Sequence, residues 1–245
     1  MSASSAIAAP LPDADPALDR GFTVRVNPEA TAEEVLGQPG FWALEVDLKP
    51  LRIVKIARPD GTTDVVYYLV YRVAQRDLLA PTEGSTDDPV NNYDDAPGPE
   101  RFIPRFTLIS LEDDRPAAYP DIIDPLAFDA IVRREMRGPL AGVPLRNSVE
   151  ISLPLPEHVA VGVRPSPDQY YYGVAVWPEV DAEVDRFRIV FDGFSNGYTR
   201  TEGGGVARRV FRQDFWRPGD GFDRAEREFR FAGDPQWSYA PDDAE

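Results

Sequence analysis

Around residues 187–191 the chain alternates strictly. Phe187, Ile189 and Phe191 fall on one side of an extended backbone, and Arg186, Arg188 and Asp192 on the other. A period of two is what a strand shows when one face packs on a core and the other meets water. The pattern recurs over 41–56, where Trp42, Leu44, Val46 and Leu48 oppose Glu45, Asp47 and Lys49. Pro50 interrupts that run. It has no N–H for a ladder, so it predicts an edge strand or a bulge where the chain switches sheets. Val65, Tyr67, Leu69, Tyr71 and Val73 line one face of a strand over 64–73. Pro59-Asp60-Gly61-Thr62 makes the turn of a hairpin between the two runs, proline presetting φ and glycine accepting a positive one. Further strands are predicted over 22–26, 148–153, 170–177, 207–216 and 227–231. One over 101–111 carries Pro104, which argues for an edge. Gly203-Gly204-Gly205 reads as the hinge of a hairpin joining the strands at 187–191 and 207–216.

One helix is predicted, over 125–137. Asp124 is an N-cap, Pro125 suits the first helical position, and Phe128, Ile131, Val132 and Met136 recur at helical spacing. Arg133, Arg134 and Arg137 suit the negative end of its dipole, and Gly138-Pro139 stops it. The helix is expected to cover an open end of the fold. About nine strands and one helix, with no repeat and no change of composition, predict a single all-β domain over 21–240. An immunoglobulin-like or jelly-roll β-sandwich is the expected type. Residues 1–20 read as a disordered leader, 78–100 as an acidic loop and 241–245 as a flexible tail.

A chain of 245 residues, 42% hydrophobic, can bury a sizeable core. Its net charge of −16 excludes a general nucleic-acid binder, which needs clustered cations to neutralise phosphates, and it repels an anionic membrane surface. Only Lys49 and Lys55 among the basic residues are lysine; all the others are arginine, whose planar guanidinium stacks on rings and clamps carboxylates where local geometry allows. The absence of cysteine excludes disulfides, thiolate catalysis and Cys-ligated zinc. No run approaches the ~18 apolar residues of a membrane span, so no direct membrane insertion is expected. The small residues around Ala6-Ile7-Ala8, ahead of a Pro- and Asp-rich stretch, resemble the tail of an export signal, which would place the protein in the periplasm or cell envelope; an ordinary N-terminus is the alternative.

Candidate chemistry is sparse. Gly193-Phe194-Ser195-Asn196-Gly197 matches the G-x-S-x-G of a nucleophile elbow, but a turn-rich segment follows where that motif needs a helix. The only histidine, His158, precedes Ser195 and lies in a Pro-bounded loop. No phosphate-binding Gly-rich loop exists. Loop carboxylates remain: Asp113, Asp114, Asp121, Asp124, Asp181, Asp185, Asp192, Asp220 and Asp223. Calcium needs six to eight oxygens of this kind, so calcium is the one cofactor considered, against plain solvated charge. Tyr171 aligns with Trp177, and Trp216 shares its side with Arg212 and Asp214. Were such faces open they would stack a sugar or a peptide; otherwise the rings pack in the core. The candidate ligand-binding set is therefore Tyr171, Trp177, Trp216 and Asp192, with no catalytic residue assigned.

Asp192-Gly193-Phe194-Ser195-Asn196-Gly197, Phe215-Trp216-Arg217-Pro218-Gly219-Asp220 and Trp237-Ser238-Tyr239, together with the strand from Tyr67 to Val73, resemble an uncharacterised family of planctomycete-type bacteria. The resemblance implies an exported sandwich protein and carries no activity and no functional residues. The expectation is a non-catalytic β-sandwich serving interaction or structure at the bacterial cell envelope, with a protein or polysaccharide partner. The alternative is a carbohydrate-binding or carbohydrate-active module.

Overall fold

The computed structural model of the chain describes residues 21–79, 98–112, 116–160, 163–181, 183–218 and 228–241. The expected leader, most of the acidic loop and nearly all of the tail lie outside the described residues. The architecture is mostly β, with two largely antiparallel sheets packed as a sandwich and few helices. In chain order the elements are β1 (Val24–Val26), α1 (Ala32–Gly37), β2 (Glu45–Leu48), β3 (Arg52–Ala57), β4 (Thr63–Ala74), β5 (Arg105–Ser110), β6 (Ala118–Pro120), α2 (Pro125–Glu135), β7 (Leu145–Arg146), β8 (Tyr171–Trp177), β9 (Arg186–Asp192), β10 (Tyr198–Arg200), β11 (Val206–Trp216) and β12 (Arg230–Pro241).

The first sheet is organised on β4. Its one edge pairs with β8, and its other edge pairs with β2 and then β3 (Leu48↔Tyr71, Arg52↔Tyr68). The run over 41–56 is thus one strand broken around Pro50, with the Lys49 N–H still bonded to Val70 O at 3.0 Å. β1 extends the sheet beyond β2, and β7 lies parallel to β8. The second sheet is organised on β11 in the same manner. β12 runs along one edge; β9 and then β10 share the other (Phe211↔Phe191, Tyr198↔Arg208), and β5 and β6 continue beyond β9. Between the sheets Tyr71 meets Phe106 and Tyr67 meets Phe187, at ring separations of 5.0 and 5.5 Å. Among the described residues twelve strand segments stand where the pattern predicts about nine; two arise from the interruptions in these strands.

Several expectations are corrected. The helix ends at Glu135, two residues early, and it does not close an end of the sandwich. Ala127 and Ile131 pack instead on Val66, Tyr68 and Val70, on the outer face of the first sheet. β4 is apolar on both faces, so it needs cover on both. Pro104 stands just ahead of β5, which is interior and flanked by β9 and β6. Residues 148–153 form turns rather than a strand: the Asn147 Oδ1 accepts from the N–H groups of Val149 and Glu150 at 3.0 and 2.9 Å, which diverts the backbone. The triglycine hinge joins β10 to β11. The last strand runs over 230–241 rather than 227–231, bent at Gly233 with φ 77°. α1 was not predicted, although Thr31 and Glu34 form its capping box, a signal visible in the sequence.

Candidate functional site

The break between β9 and β10 builds a surface groove. Over 193–197 the chain leaves the second sheet and docks on residues 38–44. Phe194 is buried against Phe102, Phe106 and Tyr71, with the Leu44 N–H bonded to its carbonyl at 2.9 Å. Asn196 mimics a strand partner, its Oδ1 accepting from the Trp42 N–H (2.8 Å) and its Nδ2 donating to Gly40 O (2.9 Å). Gly193 has φ 85°, and a Cβ there would stand 2.1 Å from Ile103 O, so only glycine allows the close approach.

This turn is the floor of a groove of about 560 Å³. Arg101, Ile103 and Arg105 form one wall, Tyr198, Val206 and Arg208 the other, and Trp42 lies at its end. Ile103, Tyr198 and Val206 are exposed and make the rim apolar. Among the described lining residues are three arginines and one carboxylate, Asp192. That carboxylate pairs with Arg105 and accepts from the Gly193 N–H at 2.6 Å. Arg101 donates to Ser152 O at 2.6 Å.

No family model, curated protein or solved structure matches the chain.

The Ser195 hydroxyl is built into the scaffold. It donates to Trp42 O at 2.7 Å and accepts from the Gly197 N–H at 3.1 Å, and the residue is buried. His158 is not among the groove's lining residues and faces Asp77 at 3.0 Å. Of the loop carboxylates considered for calcium, Asp124 caps α2 and grips Arg58, Asp181 accepts from the Glu183 N–H, and Asp185 faces Arg217. Asp121 accepts from Ser148 and from the Val176 N–H. Asp113, Asp114, Asp220 and Asp223 lie outside the described residues. Among the described residues, no three His, Asp or Glu side chains converge as metal ligands.

The four candidate ligand residues are not brought together. Trp177 is buried in the core, where its ring meets no solvent. Tyr171 is half-buried at the core's rim, its hydroxyl donating to Pro154 O at 2.7 Å and the Arg146 guanidinium 4.8 Å from its ring. Trp216 stands on the outer face of β11, exposed, with the Arg230 guanidinium 5.7 Å from its ring. Asp192 alone lines the groove. The residues that sequence reasoning missed are Trp42, Arg101, Arg105, Tyr198 and Arg208. Outward placement of Arg105 and Arg208 is legible from strand alternation, but their convergence depends on register.

Two buried charge clusters lie elsewhere. Glu135 accepts from Lys49 Nζ (3.0 Å), Arg52 Nη1 (2.9 Å) and the Tyr68 hydroxyl (2.8 Å). Burial pushes its pKa up, but the Lys49 and Arg52 charges overcome that and hold it below the usual range. Asp47 binds both Arg25 and Arg72, and beside it burial raises the Glu45 carboxyl despite Arg25. The first cluster ties α2 to β3 and β4, and the second ties β1, β2 and β4 together.

Proposed function

We propose that this chain is a non-catalytic binding module, a sandwich of immunoglobulin-like or jelly-roll type acting in interaction at the cell envelope, with its ligand held in the groove over residues 193–197. The observation that carries this reading is the state of the groove's reactive-looking groups. Ser195 is bound on both sides by backbone and Asp192 is held by Arg105, while the rim presents Ile103, Tyr198 and Val206. Nucleophilic or acid–base catalysis needs a side chain with a proton to give or take at the substrate. Apolar rim plus guanidinium is instead a recognition surface.

The test is a thermal-shift screen of the full chain with calcium, EDTA and soluble polysaccharides, run beside turnover assays on the same panel. A ligand at 100 times its Kd adds about 2.7 kcal/mol, a shift of roughly 5–11 °C in a domain of this size. The shift is expected to disappear in Tyr198→Ala, with no turnover in any sample. Turnover abolished by Asp192→Asn would overturn the reading. The carbohydrate alternative draws its support from the exposed rings of Tyr198 and Trp216 on one sheet face.

A further inference from the structure

The outer face of the second sheet differs from the rest of this acidic molecule. Cross-strand partners share a face. By register, Arg105 stands opposite Asp192, Arg188 opposite Asp214, and Arg208 opposite Tyr198. Arg212 lies beside Val190 and Arg200 beside Val206, while Arg186 and Arg230 flank Trp216 from either side. Among the described residues, seven arginines and two aspartates give this face five net positive charges, on a chain whose total is −16. Both aspartates are already engaged, by Arg105 and Arg188. Among the described residues no carboxylate lies within ion-pair distance of Arg186, Arg200, Arg212 or Arg230. Glu202 at the β10–β11 tip and Asp234 in the bend of β12 sit at the rim. Neither helix covers the face: α2 packs on the first sheet, and α1 reaches Arg209 and Tyr239 through Glu34. Like charges side by side on a sheet destabilise it, so the arrangement calls for an anionic partner.

Trp216 supplies the second feature. The residue is more than a third exposed and stands between Arg186 and Arg230 on the neighbouring strands, with the Arg230 guanidinium 5.7 Å from the indole ring. A sugar ring stacked on that indole would place a ring carboxylate within reach of either one. The face already grips a carboxylate in this way: Arg188 Nε and Nη2 donate to the two Asp214 oxygens at 2.7 and 2.8 Å. From Trp216, β11 carries Arg212 and Arg208 on the same face to the groove, a path of about 33 Å over ten residues. A single-stranded nucleic acid needs successive rings for successive bases. Here the exposed rings, Trp216 and Tyr198, stand at opposite ends.

We propose that this face binds a linear acidic polysaccharide of the uronate type, laid along β11 from Trp216 to the groove. The proposal rests on the binding-module reading and names its ligand class. The experiment is calorimetric titration of the full chain with polygalacturonate oligomers, their methyl esters, dextran, polyglutamate and oligo-thymidylate. Binding of the uronate alone is expected, weakening as salt rises. Arg186→Gln and Arg230→Gln are each expected to weaken it roughly tenfold. Trp216→Ala should lose binding and Trp216→Phe restore it, all four variants melting with the parent. Equal binding of the methyl ester would overturn the proposal, as would tighter binding of oligo-thymidylate. Equal binding of polyglutamate, unaffected by Trp216→Ala, would overturn its sugar component. New reducing ends appearing with binding still weakened in Arg186→Gln would support this face and overturn the non-catalytic reading, so the two fail separately.

Discussion

Glu135 shows how a single residue ties the outer helix to the first sheet. Its buried carboxylate compensates Lys49 and Arg52 and takes the Tyr68 hydroxyl proton as a hydrogen bond. Glu135→Gln keeps the shape and removes the charge, leaving a buried lysine unpaired; a loss of about 3–5 kcal/mol in urea unfolding is expected. Asp121 behaves differently. Burial pushes its carboxyl up to about 6 from an ordinary 3.8, although Ser148 and the Val176 N–H favour the charged form. The folded state therefore binds this proton more tightly than the unfolded chain. Its contribution is fully present below the unfolded value and is lost as pH rises through about 6. Wild type should lose up to about 3 kcal/mol relative to Asp121→Asn between about pH 4 and 7, read as the difference between their melting curves. Using the difference cancels carboxylates such as Glu135 and Glu34, whose depressed values act in the opposite sense at lower pH.

At the scale of elements, both sheets contain a strand that stops and resumes along the same neighbour. Around Pro50 the break is a short bulge that keeps a ladder bond. At 193–197 it is a full excursion, held by Asn196 and by the fit of Gly193 under Ile103. Gly193→Ala combines left-handed strain with a backbone clash and is expected to cost about 3 kcal/mol or more. Gly204→Ala, with φ 81° but open space around it, meets strain alone and should cost about 1 kcal/mol. Comparable losses in the two variants, measured by chemical unfolding, would show that the floor of the groove is not a tight fit.

For the whole molecule, charge sets the response to salt. A net of −16 repels itself, so the melting temperature should rise as sodium chloride goes from about 0.01 to 0.2 M, while uronate binding falls over the same range. A melting temperature that fell instead would show that internal ion pairs outweigh the repulsion. Much of the fold was legible beforehand: strand faces at 187–191 and 64–73, the break at Pro50, and Asp124 as a helix cap all rest on residues within a turn or two of each other. The turn at 147–151 was missed because Asn147 redirects backbone bonds in a stretch whose apolar spacing suits a strand. Of the groove, only Asp192 and the 193–197 motif stood out in the sequence. Of the aromatic candidates, Trp177 lies in the core because its face of β8, shared with Tyr67, turns toward the second sheet. By itself, then, the sequence determined which side chains each strand turns inward and where the chain bends, since alternation and turn chemistry are local. Only the tertiary structure decided which strands are neighbours, and hence that Arg101, Asp192, Tyr198, Arg208 and Trp42 share one groove and seven arginines one face. Cross-strand register joins residues as far apart as Tyr67 and Trp177, and no local pattern encodes it.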